Sequence, residues 1–187
     1  VLCGSSVGAI NTCFIASTCH DLPFQGKQIY ELWKNLTQEQ IYQRDVLSFF
    51  KFVFNSGVGI TRNLFGRKLN REGQRLQKNV YKGLLNTSPF FPFLKRVIPW
   101  KQIGMNIDNG FFDAISVTAT NVTTGKLELF IEKSKQTPYT GRYTYHETKL
   151  EAQHAIASAA IPIVFPTVKI NHDYYMDGGV RMNTPMS

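Results

Sequence analysis

The chain has 187 residues, of which 43% are hydrophobic and 18% charged, a composition that excludes disorder and a length that suits one domain with a real core. No apolar stretch approaches the roughly 18 residues that a membrane-spanning helix needs. The formal charge is +8, and residues 51–101 hold eleven Lys/Arg against a single acid, Glu72, so the positive field is local and suits phosphate-bearing partners.

The chain opens on Val1 rather than Met, and its first residues read as a core strand. The expectation is a piece of a longer protein, for which the lack of a signal peptide carries no meaning. Val1–Cys3 is a short apolar run that ends at Gly4-Ser5-Ser6-Val7-Gly8. From Val7 to Thr18 the residues are small, apolar and free of proline, which predicts a buried helix packed close to a sheet. The opening therefore reads strand, sharp turn, helix. Asp21-Leu22-Pro23 predicts a loop, and Gln25 to Leu36, with Ile29, Leu32 and Trp33 at helical spacing, a surface helix. Asp45 is a candidate cap for a helix carrying Val46, Phe49, Phe50 and Val53, broken by Gly57 and Gly59. A further helix is expected over 70–85, with Leu76, Val80 and Leu84 on one face, followed by a proline-interrupted aromatic loop over 88–93.

Ala114 to Thr120 alternates and is rich in β-branched residues, so it predicts a strand. After a turn over 121–125, Leu127, Leu129 and Ile131 alternate in a second strand, its hairpin partner. Residues 148–160 predict a helix whose small face carries Ala152, Ala155, Ile156 and Ala159, stopped by Pro162. Val168 to Tyr175 is a strand or hairpin, with His172-Asp173 as its polar turn, leading into Met176-Asp177-Gly178-Gly179.

Two motifs carry chemistry. Gly4-x-Ser6-x-Gly8 lies between a strand and a helix, the context in which it reads as a nucleophile elbow. The serine then occupies a strained turn that lifts its Oγ out of the sheet, the glycines clear the strand–helix crossing, and the helix dipole faces developing negative charge. The alternative is a small-residue turn without chemistry. Ser5 is given no role. Asp177-Gly178-Gly179 alone is a common turn signal. Paired with the first motif it gains weight, because a carboxylate on a glycine loop can approach a serine hydroxyl closely. An exposed aspartate is a poor base for serine, so the pairing expects burial of Asp177 or help from the helix behind Ser6.

In three places the chain resembles the patatin-like phospholipase family. Cys3-Gly4-Ser5-Ser6-Val7-Gly8-Ala9-Ile10-Asn11 looks like its serine elbow. Ala157-Ser158-Ala159-Ala160-Ile161-Pro162, leading to Phe165-Pro166, looks like its helix-end signature. Tyr175-Met176-Asp177-Gly178-Gly179-Val180, then Asn183 and Pro185, looks like its aspartate motif. They come in the family's order, while residues from about 40 to 105 align with nothing in it. The resemblance implies an α/β fold, a three-layer sandwich with a mainly parallel central sheet, as one catalytic domain over 1–187. It implies a Ser–Asp dyad without histidine, Ser6 and Asp177, supported by the motif glycines Gly4, Gly8, Gly178 and Gly179. It also implies hydrolysis of lipid acyl esters, phospholipase or lysophospholipase in type, through an acyl-enzyme. The family's glycine-rich oxyanion loop precedes its serine and has no counterpart before Val1, so a fragment lacking that segment is expected. Losing one such donor typically costs about 10²–10³ in rate. That departure keeps a second class open, a catalytically incomplete lipid- or membrane-binding module of the same fold.

A histidine-dependent triad of Ser6, Asp113 and His172 would satisfy the order of a conventional α/β-hydrolase, but order alone is cheap. Residues 49–101 interleave the basic groups with Phe49, Phe50, Phe52, Phe54, Phe65, Phe90, Phe91, Phe93 and Trp100, a mixture suited to peripheral contact with anionic membrane or to a solvated basic helix over core aromatics. No nucleic-acid recognition motif appears. Cys3, Cys13 and Cys19 are odd in number and lack zinc spacing, so they are expected reduced and mostly buried, favouring a cytoplasmic or membrane-peripheral setting, with a Cys13–Cys19 pair left open. No cofactor and no metal are expected.

Overall fold

The computed structural model describes residues 1–42, 83, 85–139 and 141–180. Strand β1 (Leu2–Ser5) leads through Ser6 into helix α1 (Val7–Thr18), the strand–turn–helix opening that the sequence predicts. Helix α2 (Leu22–Lys34) begins earlier than expected, because Pro23 stands in its first turn rather than in a loop. A proline there gives up only an N–H that has no intrahelical partner. The short α3 (Gln38–Ile41) follows. The helices expected around Asp45 and over 70–85 lie outside the described residues.

The aromatic loop expected over 88–93 is corrected. Phe90–Val97 is helix α4, and Pro92 is its third residue, again among the four N–H positions that a helix leaves unpaired. Its apolar face buries Phe90, Phe93 and Leu94. Helix α5 (Trp100–Asp108) and strands β2 (Ala114–Asn121), β3 (Leu127–Lys133) and β4 (Thr144–Glu147) come next. Helix α6 covers Ala152–Ser158, shorter than expected. Strands β5 (Val168–Ile170) and β6 (Asp173–Asp177) form a hairpin across Asn171 and His172, and a 3-10 turn over Gly178–Val180 ends the described chain.

The sheet runs β4-β3-β2-β6-β5, with β1 also on β2. It is mixed, which corrects the mainly parallel expectation. Among the described residues only β1–β2 and β3–β4 are parallel, whereas β2–β3, β2–β6 and β5–β6 are antiparallel. Tight turns impose the antiparallel pairing of β2 with β3 and of β5 with β6. Asn121 Oδ1 accepts the N–H groups of Thr123 and Thr124 at 2.9 and 3.1 Å, and Gly125 takes a positive φ of 64°. Such a turn can only return the chain antiparallel.

The register explains how distant segments meet. Strand β3 takes one edge of β2 along Ala114–Thr120. On the other edge β1 runs upward and ends with Ser5 opposite Thr118, while β6 runs downward and ends with Asp177 opposite Ala119. The two strand ends therefore meet head to head on neighbouring residues of β2, one strand rise of about 3.3 Å apart along its axis.

Helices α1, α5 and α6 pack on the sheet, and α5 and α6 also pack on α1. One apolar cluster joins Ala9, Ile10, Cys13 and Phe14 of α1, Ile103 and Ile107 of α5, the alanines of α6, and Ile115, Val117, Ala119 and Phe130 of the sheet. The many alanines let α6 approach β2 closely. Every residue of β2 is buried, so both of its faces are covered.

Candidate active site

Ser6 follows β1 directly and holds φ 54°, ψ −134°. An L-residue adopts such a conformation at a cost of roughly 1–3 kcal/mol, and only where its surroundings over-determine it. Its carbonyl accepts the Ala9 N–H at 2.9 Å, which starts α1, and its own N–H donates to Ser158 Oγ at 3.0 Å. The strained turn directs Oγ toward β6, where it donates to Asp177 Oδ2 at 2.6 Å. The structure thus brings together the two residues singled out in the sequence.

Asp177 is 5% exposed, and both carboxylate oxygens have donors. Oδ2 takes the Ser6 hydroxyl, and Oδ1 takes the Gly179 N–H at 2.6 Å. Its backbone is held as well, with the N–H on the Ala160 carbonyl at 2.9 Å and the carbonyl on Thr120 Oγ1 at 3.1 Å. A hydroxyl donating to a buried carboxylate beside the first turn of a 12-residue helix can lose its proton to that carboxylate and attack an electrophile. The positive end of the helix favours the negative charge that then develops.

The motif glycines divide. A Cβ on Gly4 would stand 2.6 Å from Ala9 Cα and 2.7 Å from the Gly8 carbonyl oxygen, so α1 can cross β1 only over a glycine. A Cβ on Gly178 would meet Thr118 Oγ1 at 2.3 Å and the Thr118 carbonyl oxygen at 2.5 Å. Gly8 corrects the expectation that both elbow glycines clear the crossing, since a Cβ there meets nothing within 4 Å. Gly179 contributes through its N–H. Asn183 and Pro185 lie outside the described residues.

Among the described residues no histidine and no Asp113 side chain is hydrogen-bonded to Ser6. His146 Nε2 instead lies 2.7 Å from Glu128 Oε2, and buried His154 accepts the Glu151 N–H on Nδ1 at 3.0 Å. Glu128 also accepts from Tyr175, two residues before Asp177, at 2.9 Å. Burial first, and Glu128 second, push the Tyr175 phenol up from its ordinary range. Sequence reasoning missed Glu128, Tyr175 and Ser158 as side chains that brace the site. For Ser158 a signal existed, a lone hydroxyl among the alanines of the helix-end signature.

The three cysteines are free thiols, and only Cys13 is buried, whereas Cys3 is exposed. That corrects the expectation that they are mostly buried. A cavity of about 500 Å³ lies at Thr124–Leu127 and Arg142–Thr144 and includes no residue of this site. Among the described residues no cluster of three or more His, Cys, Asp or Glu could hold a metal, and no helix is long and apolar enough to cross a membrane.

A family model described as patatin-like phospholipase matches residues 1–187. No curated protein and no solved structure matches the chain.

Proposed function

The chain belongs to the patatin-like phospholipase family, and from that membership we propose that it hydrolyses lipid acyl esters, with Ser6 as nucleophile and Asp177 as its base. The observation that carries this reading is the 2.6 Å hydrogen bond from Ser6 Oγ to Asp177 Oδ2. In the proposed reaction Asp177 takes the Ser6 proton as Oγ bonds to the acyl carbonyl carbon. The tetrahedral intermediate collapses, the ester C–O bond breaks, and Asp177 returns the proton to the departing alcohol. Water then loses a proton to Asp177 and attacks the acyl-enzyme; the acyl C–O bond to Ser6 breaks, Asp177 returns the proton to Ser6 Oγ, and the fatty acid leaves. The first N–H groups of α1 lie beside the developing oxyanion and add to its stabilisation.

An apolar substrate fits the surroundings. Val7 follows the nucleophile and is 48% exposed, while Val180 closes the turn after Asp177 and is 53% exposed. Both offer apolar surface to an acyl chain. Phospholipid and lysophospholipid esters are the proposed class. Residues 1–187 act as one catalytic domain with the family's three-layer arrangement, a reading favoured by the burial of both faces of β2. The basic, aromatic segment over 49–101 makes peripheral contact with anionic lipid.

A fluorophosphonate probe tests the nucleophile directly, because only an activated serine reacts. The expected result is labelling of Ser6 and release of fatty acid from dispersed phospholipid, both abolished in Ser6→Ala and reduced by at least about 10³-fold in Asp177→Asn. Turnover retained in either variant removes the dyad. A folded wild-type protein that neither labels nor hydrolyses supports the noncatalytic lipid-binding class instead.

A further inference from the structure

Ser158 is the last residue of α6, fully buried, and the chemistry proposed above leaves it without a task. Its neighbours in the chain are Ala157 and Ala159, both buried and apolar. A hydroxyl in such surroundings is unfavourable unless hydrogen-bonded. Its partner is the backbone of the nucleophile: Ser158 Oγ accepts the Ser6 N–H at 3.0 Å, across 152 positions of sequence. Two residues further on, the Ala160 carbonyl accepts the Asp177 N–H at 2.9 Å. One short segment therefore holds a backbone amide from each member of the pair.

The elbow needs such a hold. Ser6 stands at φ 54°, ψ −134°, away from the regions that L-residues prefer. Its carbonyl side is fixed by the Ala9 N–H, whereas its N–H side is fixed by a side chain. Without that acceptor the peptide before Ser6 can rotate toward extended backbone, and the same rotation carries Oγ away from Asp177 Oδ2. We propose that Ser158 is a positioning residue for the nucleophile, its hydroxyl keeping Ser6 in the strained conformation from which Oγ reaches Asp177. This rests on the reading of Ser6 as the nucleophile.

The test uses the full chain and compares wild type with Ser158→Ala, Ser158→Cys and Ser158→Thr, reading fluorophosphonate labelling rate, kcat, KM and melting temperature. Ser158→Ala removes the acceptor. Ser158→Cys keeps nearly the same volume but offers a weak acceptor, and carries the decision if Ser158→Ala fails to fold. In both, labelling rate and kcat are expected to fall about 10- to 100-fold per folded molecule, with KM within about twofold, since misplacement of a reacting group lowers turnover rather than binding. Ser158→Thr keeps the hydroxyl and is expected to label within about threefold of wild type. Wild-type labelling in folded Ser158→Ala or Ser158→Cys overturns the proposal. So does a loss that disappears once the folded fraction is taken into account, and so does folded Ser158→Thr labelling as slowly as Ser158→Ala. A wild-type protein that does not label retires the nucleophile reading itself, whereas labelling indifferent to Ser158 retires only its positioning role.

Discussion

Gly178 and Gly8 look alike in the sequence and are constrained differently in the structure. At Gly178 the chain leaves the edge of β2 just where β1 already ends, and it passes against the Thr118 backbone. A methyl group there must displace a fully buried central strand. Gly178→Ala is therefore expected to cost about 1–3 kcal/mol or more, seen as a lowered melting temperature, together with slower labelling of Ser6. At Gly8 the added Cβ enters open space on the first turn of a helix, so Gly8→Ala is expected to leave folding stability equal or raise it by up to about 1 kcal/mol. A large loss at Gly8 would show that the open space is needed by the folded chain. Thr118 gives a third expectation. Its Oγ1 is buried and has no hydrogen-bond partner among the described residues. Removing a buried orphan hydroxyl relieves its desolvation cost, so Thr118→Val is expected to match or exceed wild type in denaturant midpoint. The elbow was legible because its chemistry demands a specific spacing between strand and helix, and the aspartate loop, a common turn signal alone, was legible only beside it. The orphan hydroxyl and the Ser158 contact were not, because each depends on which distant segment lies opposite.

Helix α6 shows what packing adds to an element that periodicity already announces. The alanine face predicts the helix, but its start is set by long-range and local polar contacts. The Leu150 N–H is held by Glu132 Oε2 at 2.7 Å, and the Glu151 N–H by His154 Nδ1 at 3.0 Å. That second bond needs the Nδ1 lone pair and thus a neutral ring. Burial of His154 beside Phe130, with His146 nearby, lowers its pKa to about 4 from 6.5. The unfolded chain then binds the extra proton more readily than the folded one between those values. The contribution is fully present above about pH 6.5 and is lost as pH falls toward 4, on the order of 3 kcal/mol in all. Urea unfolding over that range is expected to follow this slope in wild type and to lose most of it in His154→Asn, which keeps an acceptor but does not titrate. An unchanged slope would move the titration to another group. Helices α2 and α4 make the complementary point: Pro23 and Pro92 were read as loop signals, yet proline in a first turn removes no bond. The hairpins of the mixed sheet were legible in the sequence, but the sheet as a whole was expected to be mainly parallel. The resemblance supplied parallel strands, while the turn chemistry at Asn121–Gly125 and at Asn171 required hairpins.

At the scale of the whole molecule, the order of the motifs from residue 3 to residue 185 gave the family before any coordinates, and the match over residues 1–187 bears that out. What order could not give was the junction on β2, where two strand ends bring Ser6 and Asp177, 171 positions apart, to one site. The charge distribution carries the remaining expectation. The net charge of +8 is concentrated in residues 51–101, and the described end of that segment shows its character. Helix α4 buries Phe90 and Phe93, leaves Phe91 43% exposed, and carries exposed Lys95 one turn beyond it, with Lys101 exposed at the start of α5. Aromatic and basic groups side by side on an outer face suit the boundary of an anionic bilayer. Ser6→Ala protein, which leaves vesicles intact, is expected to sediment with phosphatidylserine-containing vesicles at low salt, less with purely zwitterionic ones, and to be released at high salt as screening shortens the reach of the field. Each Lys/Arg near such a surface contributes about 1 kcal/mol, so reversing Lys95 and Lys101 to glutamate is expected to lower partitioning by at least about tenfold. Binding that ignores lipid charge, salt and both lysines would leave the basic segment as a solvated face over core aromatics and would remove the membrane from the proposed function.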